Sequence, residues 1–319
     1  VGADFLANWV NPVENARQYA VTRKLFGKKT MSRHYHFEST LSVTGSNADH
    51  RYKLKPSQHG AAVVSLYNKL AALAGVATAG NATTGVEDGL SKAAKDLWKS
   101  KGRSLVVCGS NDPSVQVVVN GINMLLGNYG STINIDAHSN FRQGNDEKVA
   151  ALINDMNSGS VDILMMYNVN PAYTYPDAAA FKAAMKKVGT TISFAGTEDE
   201  TASEANYICP DHHYLEAWND AEPERGKYSL AQPVIRPLFK TRQMQDSLIA
   251  WAGLPYQDYL TFIQGNWSKN MYAMQTGITS ADAFWTKSLQ EGVFEVALAT
   301  ATPAFNADIA GAEIGRAHV

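Results

Sequence analysis

The chain is poor in the residues that usually reveal cofactor and membrane sites. Its 319 residues include two cysteines, Cys108 and Cys209. Two thiols exclude a disulfide framework and an iron–sulfur cluster, which takes about four thiolates. Both lie in apolar, strand-like runs, so we expect small buried thiols. No stretch approaches the roughly 18 consecutive apolar residues of a membrane-spanning helix, so no segment is expected to span a bilayer.

The sequence also lacks the motifs of several function classes. The sequence contains neither the GxGxxG nor the GxxxxGKS/T phosphate-binding motif, and no GxSxG elbow, which argues against dinucleotide, P-loop and serine hydrolase chemistry. Basic residues are scattered, and the formal net charge is −2. The sequence therefore offers no basic stripe for nucleic acid and no polybasic run for an anionic membrane surface.

What is present is a globular composition with alternating strands and helices. Hydrophobic residues make up 45% of the chain, and its length allows two domains. The apolar run Leu105–Cys108 predicts a strand, and a "GSNDP" turn follows it. A helix is predicted next, because apolar residues recur at helical spacing from Val115 to Leu126. Further strands are predicted at 32–39, 161–171 (a buried run), 190–196 and 206–210, and helices at 12–25, 59–75, 177–188 and 198–205. This alternation predicts an α/β fold with doubly wound, mostly parallel sheets, whose ligands lie beyond the carboxyl ends of the strands.

These elements suggest four segments. We predict a first α/β subdomain at 1–103 that is incomplete at its N-terminus, and a second βαβ subdomain at 104–240. A helical, aromatic-rich continuation, itself truncated, follows at 241–312. The final "IGRAHV" matches the translation of a common sequencing-adapter DNA, so 313–319 are expected to be non-native and the chain a fragment.

The stretch 206–220, "NYICPDHHYLEAWND", concentrates residues that can bind metals. Structural zinc sites, however, use spaced Cys and His pairs. His212 and His213 are adjacent, so they point to opposite faces of a strand or about 100° apart on a helix. We therefore expect no metal site and interpret the stretch as a scaffold segment at a strand end.

An ordered set of short motifs carries a family resemblance. In chain order these are Ala48–Asp49, Lys55–Pro56–Ser57–Gln58–His59, Asn170–Pro171, Glu200–Thr201–Ala202, Ala205–Asn206, Ile208–Cys209–Pro210 and Glu216. Over about 30–240 this order resembles the molybdopterin oxidoreductase family, of the dimethyl sulfoxide reductase type. The resemblance implies two molybdopterin-oxidoreductase-like subdomains.

Within that family, "FESTLSVTGSNADHRYKLKPSQHG" and "YSLAQPVIRPLF" are similar to one branch, the large iron–sulfur subunit of alternative complex III. That resemblance implies a molybdopterin-type scaffold without its cofactor in a respiratory quinol:electron-acceptor oxidoreductase. Iron–sulfur clusters are expected in a C-terminal part beyond this chain. The implied partners are cytochrome c and quinol-binding membrane subunits. They would hold the chain at the periplasmic side of the bacterial inner membrane, and no nucleic acid is expected to bind.

Candidate site residues follow from the same resemblance. Cofactor-binding relatives have Gly-Thr-Asp where this chain has Ser57, Gln58 and His59. A serine crowds a close backbone approach, and a histidine replaces an obligate hydrogen-bond acceptor. The other vestigial positions, Asn170, Pro171, Glu200 and Thr201, are interpreted as turns that hold the fold, with Glu200 capping or starting a helix. We assign no catalytic residue and no metal ligand.

Two other interpretations remain open. One is a working molybdenum enzyme that binds molybdopterin guanine dinucleotide and acts on a small inorganic or sulfur compound. The other is a soluble two-domain binder of small molecules. If the scaffold hypothesis holds, exposed aromatic residues should anchor partner subunits. The candidates are Trp218, Trp251, Trp267 and Trp285.

Overall fold

The chain folds into two units. The computed structural model describes residues 1–299, 303–309 and 311. Unit 1 comprises Val1–His138 and the described residues from Ala299 onward, and unit 2 comprises Ser139–Leu298. The structure thus divides the chain at 138/139, whereas the sequence pattern predicts a boundary at 103/104. The helix after residue 104 packs within unit 1, and residues 241–298 belong to unit 2. The segment 313–319 lies outside the described residues.

Unit 1 is built around three packed helices and one pair of parallel strands. Its helices are α1 (Pro12–Arg23), α2 (Val43–Ser46), α3 (His59–Ala74), α4 (Glu87–Lys99) and α5 (Pro113–Leu125), and its strands are β1 (Tyr35–Glu38) and β2 (His50–Lys53). β1 and β2 are parallel, with Tyr35 opposite His50. Apolar residues at helical spacing in α3, such as Val63, Leu66 and Leu70, pack against α4 and α5. α3 ends at Gly75, whose φ of 71° favours glycine.

The run Leu105–Cys108 is extended but is not a strand of a sheet, contrary to the sequence prediction. The buried amide of Asn123 takes the place of a neighbouring strand. Its Oδ1 accepts from Val106 N at 3.1 Å, and its Nδ2 donates to Val106 O at 2.8 Å. On the other side the backbone of residues 1 and 2 bonds both to Gly109 and to Phe37. Side-chain bonds from Asn123 on one side and backbone bonds to residue 1 on the other therefore satisfy groups that a sheet ladder would otherwise pair.

Unit 2 contains a small parallel sheet and a second, antiparallel sheet. Its helices are α6 (Asp146–Asn157), α7 (Pro171–Thr174), α8 (Ala178–Met185), α9 (Met244–Trp251), α10 (Tyr259–Asn266) and α11 (Ala281–Glu291). Its strands are β3 (Ile163–Met166), β4 (Thr190–Ser193), β5 (Tyr207–Ile208), β6 (Asn219–Glu224), β7 (Lys227–Ala231) and β8 (Val293–Glu295). The order β3-β4-β5 is parallel throughout, as the alternating pattern predicts.

The parallel sheet buries one face. Leu164 and Met166 pack with α6 and α8, whose core residues include Met156 and Phe181. Ile163 and Met165 point the other way and are 55% and 47% exposed. The prediction that the whole run is buried is therefore wrong. Successive residues of a strand alternate between faces, so burial of one face leaves every second residue in solvent.

The sheet β6-β7-β8 is antiparallel, and the sequence pattern does not predict it. Asp220 on β6 accepts from the Tyr259 hydroxyl and from Trp267 Nε1, both at 3.0 Å, and so ties the sheet to α10. Trp267 is 1% exposed and forms an aromatic core with Phe284. Trp218 and Trp285 pack against that core. Of the four candidate anchors, Trp251 is the exposed one, with 52% of its surface in solvent.

The fold is therefore a mixed α/β fold with small parallel sheets. Within the described part of the chain, none of the helices combines the length and the apolar character needed to cross a bilayer.

Candidate functional site

The segment Lys55–His59, which resembles the nucleotide-contact motif of cofactor-binding relatives, forms the turn before α3 in unit 1. Pro56–Gln58 form one turn of 3₁₀ helix, and α3 begins at His59. The Gln58 side chain turns back and accepts from Lys55 N at 3.4 Å, while Ser57 is exposed. The three residues where cofactor-binding relatives carry Gly-Thr-Asp thus form a short helical entry to α3.

His59 is held by contacts within unit 1. Its Nε2 lies 3.0 Å from Ser39 Oγ. Its ring lies against the backbone of Gly2, where an added Cβ would come within 2.8 Å of the imidazole. Burial lowers the pKa of His59 and favours the neutral ring. A neutral imidazole engaged with Ser39 lacks the negative charge and the second acceptor oxygen of the carboxylate that the resemblance implies at this position in cofactor-binding relatives.

A buried carboxylate lies at the carboxyl end of β1, where a doubly wound sheet would meet its ligand. Glu38 is 3% exposed and accepts from Arg51 Nε at 2.5 Å and from Ser42 N at 3.2 Å. A Cβ at Gly45 would lie 1.9 Å from Glu38 Oε1, so only glycine fits there. Burial opposes ionisation, but the hydrogen bonds from Ser42 and Arg51 outweigh it and keep the pKa of Glu38 low. This carboxylate is already bound within the protein.

Two histidines continue the same face of β1. His36 Nε2 lies 3.2 Å from Glu38 Oε2, and the rings of His34 and His36 are 5.3 Å apart. Burial, and then the neighbouring His36, lower the pKa of His34 to about 4. Sequence reasoning missed this polar face, although the spacing of two residues between His34, His36 and Glu38 was visible in the strand.

Asp49, from the "AD" motif, supports this region. It accepts two hydrogen bonds from Arg23, at 2.6 and 2.9 Å, and one from His34 N at 2.7 Å. The Arg23 guanidinium is the main reason that the pKa of Asp49 falls to about 2. The motif joins α1 to the start of the strand pair.

In unit 2 the structure brings together the "NP" and "ETA" motifs at the carboxyl ends of β3 and β4. Asn170 Nδ2 donates to Glu200 Oε2 at 2.6 Å. Thr201 Oγ1 donates to Asn170 Oδ1 at 2.6 Å and accepts from Ala172 N at 2.9 Å. Thr201 is fully buried. The amide, the hydroxyl and the carboxylate thus bond to one another and fix the first turn of α7, which begins at Pro171.

The helical turn after Thr201 is capped by a residue other than the one expected. Asp199 Oδ1 accepts from Thr201 N at 3.0 Å and from Ala202 N at 2.8 Å. The prediction that Glu200 caps or starts this helix is therefore wrong. The Glu200 side chain instead accepts from Asn170. A capping side chain bonds the N–H groups two and three residues after it, and for Thr201 and Ala202 that capping position is Asp199.

In the stretch 206–220, most of the side chains that could bind a metal hydrogen-bond to other parts of unit 2. Asp211 accepts from Met244 N at the start of α9, and His212 Nδ1 lies 2.6 Å from Thr241 Oγ1. Glu216 is 8% exposed and accepts from the backbone N of His213 and of Leu238. Among the described residues, the structure forms no group of three or more His, Cys, Asp and Glu side chains that could hold a metal ion. These contacts explain the stretch by its local structure.

Comparison with known proteins places this geometry in a family. A family model described as molybdopterin oxidoreductase matches residues 23–247. The "Menaquinone reductase, molybdopterin-binding-like subunit" of Nitratidesulfovibrio vulgaris is 27% identical over 293 residues, covering 79% of this chain and 42% of that protein. The chain therefore spans less than half the length of this curated relative. Acetylene hydratase from Pelobacter acetylenicus matches with a TM-score of 0.63 at 12% identity, over 91% of this chain and 50% of that one, which shows the fold alone.

The buried hydroxyl of Thr201 should be needed for stability. Replacing it in Thr201→Val leaves Ala172 N and Asn170 Oδ1 without partners, so we expect a loss of about 1–3 kcal/mol in the free energy of unfolding. Urea unfolding followed by circular dichroism measures it. Thr197→Val, at an exposed position nearby, is the matched control and should change stability by less than about 0.5 kcal/mol. Equal effects of the two substitutions would contradict a fold-holding role.

The partly buried His34 predicts a loss of stability in mild acid. The pKa of His34 is lowered from 6.5 to about 4, so the unfolded chain binds more protons between those pH values. Stability should fall as pH drops from 6.5 towards 4. His34→Gln should flatten this dependence in urea unfolding at about pH 7 and pH 5, and His138→Gln, at a position outside this cluster, should leave it unchanged. A parallel pH slope in His34→Gln would refute the assignment.

Proposed function

This chain belongs to the molybdopterin oxidoreductase family, and we propose that it is a cofactor-free scaffold region of that fold within a quinone-linked respiratory complex. More narrowly, we infer a part of the iron–sulfur subunit of a quinol:electron-acceptor oxidoreductase of the alternative complex III type. The chain contributes surfaces and rigidity and takes no part in the redox chemistry itself.

The observation that carries the proposal is the state of residues 57–59. A pterin dinucleotide needs close backbone approach and an acceptor at the entry to α3. This chain offers a serine side chain, a glutamine turned back on Lys55, and an imidazole held by Ser39. No residue of that turn supplies a carboxylate. The pocket residues therefore do not fit the group, and we derive no reaction step through it.

The other polar positions support the same conclusion. Glu38 is held by Arg51 and Ser42, and Thr201 by Asn170 and the backbone of α7. Binding a nucleotide at either place would require breaking partly or fully buried hydrogen bonds that these side chains already make. Such groups are costly to leave unpaired, so these networks favour a structural use.

The sequence relative supports the place in a complex. It is named as a molybdopterin-binding-like subunit of a menaquinone reductase, and this chain covers 42% of its length. We propose that iron–sulfur clusters lie in a further part of the subunit, that cytochrome c and quinol-binding membrane subunits are its partners, and that it sits peripherally on the periplasmic side of the inner membrane. Among the aromatic candidates, exposed Trp251 is the proposed partner anchor.

Dependence on molybdopterin separates a scaffold from a working molybdenum enzyme. The complete complex would be purified from a host strain unable to make molybdopterin. We expect its quinol oxidation rate and subunit composition to equal those of the complex from the parent strain. A known molybdenum enzyme from the same cells serves as the positive control and should lose its activity. If the complex loses activity together with that control, the chain belongs to an active molybdenum enzyme.

A further inference from the structure

An exposed loop follows α1 in unit 1. Residues 24–31, "KLFGKKTM", form what we call the lysine loop. α1 ends at Arg23, and Gly27, with φ of 70°, makes the turn at the tip. Lys28 N donates to Leu25 O at 2.9 Å across that turn. The lysine loop is thus a defined turn.

The base of the lysine loop is closed by hydrogen bonds. Ser32 N donates to Thr22 O at 3.1 Å, and the hydroxyls of Thr22 and Ser32 lie 3.0 Å apart. Arg23 donates to Ser32 O at 2.6 Å while it also pairs with Asp49. These contacts fix both ends of the loop to α1 and to the strand pair. Little conformational entropy is left to lose at the base when the tip binds a surface.

The apolar side chains of the lysine loop face solvent. Phe26 is 98% exposed, Leu25 57% and Met31 46%. Aromatic and aliphatic residues grouped at such exposure on an anchored loop mark an interaction site more often than isolated surface residues do. The tip therefore has apolar area to bury elsewhere.

The charges of the lysine loop are all positive and uncompensated. Lys24, Lys28 and Lys29 are exposed, and none of them has a carboxylate within ion-pairing distance in the part of the chain that the structure describes. The neighbouring Arg23 is already neutralised by Asp49. Three uncompensated cations thus flank Phe26 in the sequence of a chain whose net charge is −2. The expectation from sequence that no basic group faces an anionic membrane surface overlooks these lysines, because Leu25, Phe26 and Gly27 separate Lys24 from Lys28 and Lys29.

We propose that the lysine loop docks on the anionic surface of a lipid bilayer. Leu25 and Phe26 enter the boundary between headgroups and acyl chains, and the three lysines lie among the lipid phosphates. Apolar tips combined with lysines are typical of interfacial membrane contacts. Protein interfaces, in contrast, are depleted in lysine and enriched in arginine, so a lipid partner fits this loop better than a protein. This membrane contact depends on the loop alone and not on the proposed function.

Vesicle binding tests the proposal. The complete subunit that contains this chain is mixed with vesicles of phosphatidylcholine alone, or of phosphatidylcholine and phosphatidylglycerol in equal parts, and bound protein is measured by sedimentation. We expect binding to the anionic vesicles, loss of binding in high salt, and much weaker binding to neutral vesicles.

Two loop variants and two matched controls make the test specific. Each lysine near an anionic surface is worth about fivefold in affinity, so Lys24→Gln/Lys28→Gln/Lys29→Gln should weaken binding about a hundredfold. Leu25→Ala/Phe26→Ala should weaken it about tenfold or more. The same charge change at three other exposed lysines, Lys95→Gln/Lys187→Gln/Lys287→Gln, should change affinity by less than about tenfold, since those side chains lie outside the loop. Leu238→Ala/Phe239→Ala removes an exposed apolar pair of unit 2 and should leave affinity within about twofold.

Three results would overturn the proposal. One is equal binding to neutral and anionic vesicles. Another is a control variant that loses as much affinity as the matching loop variant. The third is loop variants that bind vesicles normally but no longer assemble with partner subunits, which would assign the loop to a protein interface. Thermal unfolding by circular dichroism verifies that each variant folds.

Discussion

Polar side chains that are buried at the ends of the short parallel strands need hydrogen-bond partners, because an unpaired buried polar group is costly. In this chain the partners come from its own side chains. Glu38 takes Arg51 and Ser42 at the end of β1. Thr201 takes Asn170 and Ala172 N at the end of β3 and β4. These bonds join β1 to β2 and the segment after β4 to the start of α7.

This constraint links fold and function. If a fold that holds a nucleotide loses its ligand, polar residues that remain buried at its strand ends need hydrogen bonds from the protein itself. They are then stable only when they bond to one another. The neutral imidazole of His59 beside Ser39, together with the closed networks around Glu38 and Thr201, has this character. The motifs can thus persist as structural elements in a region that the proposal describes as a scaffold.

Long periodic segments could be predicted from the sequence. The sequence did not show where a side chain, instead of a neighbouring strand, hydrogen-bonds an extended backbone. The helical spacing in α3 and the apolar run of β3 led to the correct elements. Leu105–Cys108 has the composition of a strand, but the amide of Asn123 occupies the place of its neighbour. β6 contains Pro223 near an irregularity in its register, which conceals a strand from propensity alone. Asp199 caps the turn instead of Glu200, because Asp199 lies two and three residues before the N–H groups of Thr201 and Ala202 that it bonds.

The molybdenum and iron content of the complete subunit, purified within its own complex, tests the central claim most directly. Elemental analysis of the intact complex gives both values per subunit. The account predicts iron at the level of several iron–sulfur clusters and no molybdenum. Molybdenum near one atom per subunit would contradict it, since residues 57–59 would then coexist with a loaded pterin site.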